Sequence, residues 1–98
     1  MKLFKTDGRY KYYDEGFSYI AEFSTNYAER ILFGKLRKQI AEKYGLVKQF
    51  SYMPDKVPYT ESGKSTVWRC DYDIRRNTKR RIYVKDESVI TFAMLMIG

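Results

Sequence analysis

An α+β fold is the class this sequence predicts, with one long helix packed on a curved, mostly antiparallel sheet in the order β-β-β-α-β-β-β-β. Three observations predict it. One stretch, 27–44, places apolar residues at helical spacing between a capping residue and a glycine. Short alternating stretches precede and follow it, and polar turn residues separate them. With 98 residues, 44% apolar and 32% charged, one domain spanning 1–98 with a single modest core is expected.

At the start, Met1–Thr6 and Arg9–Tyr13 flank Asp7-Gly8, a pair suited to a type I′ hairpin because glycine tolerates positive φ. On the return strand Tyr10 and Tyr12 would share one face, with Arg9, Lys11 and Tyr13 on the other. Asp14-Glu15-Gly16 supplies a second turn. Phe17–Phe23 then alternates, with Phe17, Tyr19, Ala21 and Phe23 opposite Ser18, Ile20 and Glu22. A helix over 27–44 follows. Thr25 or Asn26 caps it, Glu29 completes a capping-box-like start, and Gly45 ends it. Leu32, Phe33, Leu36, Ile40 and Tyr44 form the stripe for the sheet. Arg30, Gly34, Arg37, Lys38 and Ala41 lie opposite, with Ile31 and Lys35 beside them.

Leu46–Met53 reads as a strand ended by Pro54, and 54–65 as an exposed loop holding both prolines. Gly63-Lys64-Ser65 is not a phosphate-binding loop. The other glycine of that motif would stand at Pro58, and no strand-to-helix setting surrounds it. Thr66 to Lys85 reads as a hairpin. Trp68, Cys70, Tyr72 and Ile74 would share a buried face with Ile82 and Val84. Arg69, Asp71, Asp73, Arg75, Arg81, Tyr83 and Lys85 would point outward. After a turn at Asp86-Glu87, the nearly continuous apolar run Val89–Ile97 reads as a strand covered on both faces, hence central in the sheet.

The charge pattern points to anionic partners. Net charge is +7 and the isoelectric point is near 9.5. Five of the seven residues from Arg75 to Arg81 are basic: Arg75, Arg76, Lys79, Arg80 and Arg81. There is no histidine, which removes the default general base and the commonest zinc ligand. Asp71 and Asp73, with Asp86 and Glu87, are better explained as cross-strand partners of arginines than as a magnesium site. No catalytic residue, metal or cofactor is expected. The lone Cys70, among apolar neighbours, reads as a buried hydrophobe in a reducing compartment. No apolar leader follows Met1-Lys2, and the longest apolar run is less than half of the roughly 20 residues that span a bilayer. A cytoplasmic location is therefore expected.

The binding surface expected from these features is the outer face of the hairpin, formed by Arg69, Arg75, Arg76, Lys79, Arg80, Arg81, Tyr83 and Lys85. Arg9 and Lys11 of the N-terminal hairpin would lie beside it. Cations grip phosphates and exposed aromatics stack on bases, so RNA or another single strand fits best. No helix-turn-helix, zinc, RRM or KH signature is present.

Two resemblances add alternatives. The stretch WRCDYDIRRNTKRRIYVKDESVITFAML, about a third of the chain, resembles the closing strands of RelE-type ribonuclease toxins. Arg69, Arg81, Tyr83 and Lys85 occupy the matching positions, and the resemblance implies metal-independent RNA cleavage. The chain departs from that family in having one long helix, an extra N-terminal hairpin and no catalytic aromatic or histidine beyond the last strand. In composition, the chain is similar to small accessory proteins of large tailed phages. That likeness implies an anti-defence inhibitor in the host cytoplasm, binding a bacterial nuclease or polymerase directly.

Overall fold

In the computed structural model, which describes residues 1–10, 12–45, 49–50, 60–61, 67–71 and 79–98, the described residues form two helices and six short strands in the order β-β-α-β-β-β-β-α. β1 (Lys2–Lys5) is followed by a turn of 3-10 helix at Tyr13–Glu15, β2 (Tyr19–Phe23) and α1 (Tyr27–Tyr44). Then come β3 (Gln49–Phe50), β4 (Thr60–Glu61), β5 (Trp68–Asp71), β6 (Arg80–Val84) and α2 (Ser88–Ile97). The strands form one sheet in the order β1-β2-β6-β5-β4-β3, every pairing antiparallel. The class is α+β, as expected.

Helix α1 has the bounds its sequence predicts. The Asn26 side chain accepts the Glu29 N–H at 2.8 Å, satisfying one of the orphan donors of the first turn. The Glu29 carboxylate reaches back past the cap to accept the Ser24 N–H at 3.3 Å. At the other end Gly45, at φ +92°, gives its N–H to the Ala41 carbonyl. Phe33, Leu36 and Ile40 are buried, the 3-4 spacing of a helix laid on a sheet.

The β5–β6 pairing is also as expected. Trp68 lies opposite Val84 and Cys70 opposite Ile82, and all four are fully buried on the helix side. The Trp68 indole N–H donates to the Gly45 carbonyl at 2.9 Å, tying the end of α1 to β5. Phe23 meets Phe33 edge-on at 5.3 Å in the same core.

Three expectations are corrected. Residues 88–97 form a helix and not a central strand. The Asp86 carboxylate accepts the Ser88 N–H at 2.9 Å and opens α2. Val89, Ile90 and Ala93 are buried at a helical period, and Ala93 through Met96 are good helix formers. A continuous apolar run carries no alternation, so period alone does not separate strand from helix. The two helices pack on each other, with Tyr44 meeting Phe92 edge-on at 6.2 Å, and a hollow lies between Ala28, Ile31 and Leu32 of α1 and Met94 and Ile97 of α2.

Arg9–Tyr13 is not a return strand, because β1 pairs directly with β2, Lys2 opposite Glu22 and Lys5 opposite Tyr19. Gly8 does turn the chain at φ +101°, but Tyr12 is left-handed and leads into the 3-10 turn closed by Gly16. Thr60–Glu61, within the stretch read as a loop, is a strand between β3 and β5. The rest of that loop, most of the predicted 46–53 strand and residues 72–78 lie outside the described residues.

Candidate nucleic-acid interface

The face of the sheet away from the helices is not open. Phe4, Ile20, Tyr83 and Arg69 lie opposite one another across β1, β2, β6 and β5. Three of the four are apolar or aromatic, so the row needs a cover. The N-terminal segment supplies it: Phe17 is 1% exposed, and Tyr10 and Tyr12 pack against the cluster of Phe17, Ile20 and Tyr83. Tyr12 meets the Tyr83 ring edge-on at 5.0 Å.

Tyr83, expected to stack on bases, is 1% exposed, and this corrects the expected role. The sequence did hold a signal of this second core: Ile20 sits on the strand face opposite Ala21 and Phe23, where a solvated face would carry a polar residue.

The arginines of this face are seals. Arg69 is half-buried and donates from Nη1 to the Glu15 carboxylate at 2.8 Å. Its guanidinium lies 4.7 Å from the Tyr12 ring centre and 5.0 Å from that of Phe17. Arg81 donates from Nε to Glu22 at 3.0 Å and lies 5.3 Å from the Tyr10 ring centre. The Lys79 ammonium is 3.5 Å from the same carboxylate. Burial acts to raise the Glu22 pKa, but the Arg81 hydrogen bond and charge, with Lys79, outweigh it and hold the carboxyl below the usual glutamate value. Two carboxylates therefore compensate the cations that were expected to face a polyanion.

The other predicted residues are dispersed. Arg80 is half-buried on the helix side, 5.9 Å from the Phe33 ring centre. Lys85 is exposed, 5.1 Å from the Phe17 ring centre. Arg9 is exposed and paired with Asp7 at 2.9 Å. Lys11, Arg75 and Arg76 lie outside the described residues.

Cations without a carboxylate partner are instead found on α1. Arg30, Lys35 and Lys38 are exposed on its solvent side, and among the described residues none forms an ion pair. Glu29 is turned back to the helix start, which leaves Glu42 as the acidic residue of that face. Tyr27, three residues before Arg30 and so its neighbour on the helix surface, is 73% exposed.

One surface had no counterpart in the sequence reading, because α2 was taken as a covered strand. Met94, Leu95 and Met96 are 39%, 77% and 56% exposed. Beside them a hollow of about 420 Å³ opens between the helices, lined by Ala28, Ile31, Leu32, Lys35, Met94, Ile97 and Gly98.

Fold and surface define a small basic α+β protein whose sheet, among the described residues, is covered on both faces across β2, β6 and β5. Among the described residues no helix is long and apolar enough to cross a membrane. No protein-family model, curated protein or solved structure matches the chain.

Proposed function

We propose that this chain is a non-enzymatic binding protein for RNA or another single-stranded nucleic acid, gripping phosphates with cations that no carboxylate neutralises. The observation that carries this reading is the solvent face of α1, where Arg30, Lys35 and Lys38 stand unpaired on a chain of net charge +7. Arg30 and Lys38, eight residues apart, are separated by about 12 Å along the axis. Tyr27 takes the stacking role that Tyr83 cannot, since its ring is exposed beside Arg30. The ribonuclease alternative has less support, because Arg69, Arg81 and Tyr83 are engaged with the N-terminal cover.

The test is anisotropy of a labelled single-stranded RNA across a salt series, with the RNA recovered and sized afterwards. Each phosphate neutralised contributes about 0.7 to the slope of log affinity against log salt. Replacing Arg30, Lys35 and Lys38 together by alanine is expected to reduce the slope by about 2. Tyr27→Ala is expected to weaken binding by about 1–3 kcal/mol with the slope unchanged. RNA that fails to bind at low salt would remove the proposal, and shortened RNA would restore the toxin-like reading.

A further inference from the structure

We infer that Gly34 is where the nucleic-acid strand comes closest to the protein, its sugar–phosphate backbone running lengthwise along α1 between Arg30 and Lys38; this rests on the proposed nucleic-acid binding. Glycine inside a helix is less stable than alanine, because the unfolded chain has more freedom to lose. A positive φ, a helix end or a close neighbour would give it a structural reason. Gly34 has none of the three. It is the eighth of the 18 residues in Tyr27–Tyr44, and its φ is not positive. Among the described residues no atom lies within 4 Å of where a Cβ would stand.

The residues around it give the missing side chain a use. Tyr27, Arg30, Gly34 and Lys38 follow one another at spacings of 3, 4 and 4, which makes a single row on the helix surface. All four are exposed. At about 1.5 Å of rise per residue the row is about 16 Å long, with Gly34 about 6 Å along the axis from each cation. Bare backbone thus lies between two long cationic side chains, and Glu42, the acidic residue of this face, stands a turn beyond Lys38. A single strand laid along the row meets Arg30, passes over Gly34 and meets Lys38, while a base at its end stacks on Tyr27. A duplex keeps its bases stacked inside and has none to offer that ring. Any side chain at position 34 would lift the strand from both cations at once.

Gly34→Ala and Gly34→Leu, each melted and titrated with labelled single-stranded RNA at several salt concentrations, provide the test. Ala28→Leu, at an exposed α1 position off the row, is the control. Gly34→Ala is expected to raise the melting temperature by about 2–8 °C. Gly34→Leu is expected to bind about tenfold more weakly, with a salt slope shallower by about 1, while Ala28→Leu binds as wild type does. Wild-type affinity in Gly34→Leu overturns the inference and leaves nucleic-acid binding standing. A lower melting temperature in Gly34→Ala also overturns it, since the glycine would then serve the fold. So does an equal loss of affinity in Ala28→Leu. Wild-type protein that binds no RNA at low salt removes the inference together with the binding it rests on.

Discussion

The two faces of this sheet are both buried but sealed by different means. On the helix side Trp68, Cys70, Ile82 and Val84 are covered by α1 and α2, and the seal is apolar packing. On the other side Ile20, Tyr83 and Phe17 are covered by an irregular segment, and the rim is closed by Arg69 and Arg81 stacked on tyrosines and held by Glu15 and Glu22. A short chain that cannot spare a second helix layer uses long cationic side chains, whose stems cover apolar surface while their heads stay hydrated. Counting arginines therefore overestimates the charge offered to a ligand.

The largest effect should come from the helix side. Trp68→Ala removes the bulkiest buried side chain and its bond to Gly45, and should destabilise by about 3–5 kcal/mol in denaturant titration. The sharper comparison is between Ile20→Val and Ile82→Val, since both isoleucines are fully buried but on opposite faces. Each should cost about 0.5–1.5 kcal/mol if both clusters are equally closed. A cost near zero for Ile20→Val alone would show that the N-terminal cover opens readily. Smaller again is the Arg81–Glu22 pair, partly exposed on the arginine side. A double-mutant cycle to Met and Gln should give a coupling below about 1 kcal/mol, reduced by salt.

Acid should weaken the seal on the N-terminal side. The Glu22 pKa lies below the ordinary value of 4.5, so its contribution is present above that value and is lost as pH falls through the depressed folded-state pKa. Acid titration of wild type and Glu22→Gln should show a shallower loss of stability in the variant below about pH 4.5. Identical curves would mean that the pair does not hold the cover.

Much of this architecture was legible in the chain. Asn26 and Gly45 bracketed α1, and the alternation of Trp68 and Cys70 against Ile82 and Val84 identified the shared face of β5 and β6. The binding surface was less legible for two physical reasons. Tyrosine and arginine serve equally in a solvated platform and in a sealed one, and only the position of Ile20 distinguished the two. The nearly continuous apolar run from 89 to 97 conceals a helical period that becomes visible only once Leu95 is seen to be bare. The residues of the proposed site on α1, Tyr27, Arg30, Lys35 and Lys38, all lie outside the surface expected from the charge pattern; each is locally ordinary, and its exposure depends on how α1 is laid on the sheet.

The centre of the sheet joins β2 to β6, and Glu22 bonds Arg81 across 59 positions of chain. Closure of so long a segment carries a large entropic barrier and contributes little reward until both strands are aligned, which places folding in the slower range of small domains. Helix α1, built from local contacts, can form transiently within about a microsecond. The single tryptophan, opposite Val84 of β6 and bonded to Gly45 at the end of α1, reports on the docking of α1 against the sheet. In stopped flow, helical ellipticity should begin to rise before Trp68 fluorescence changes, and the interval between them would time the docking of α1 on the sheet.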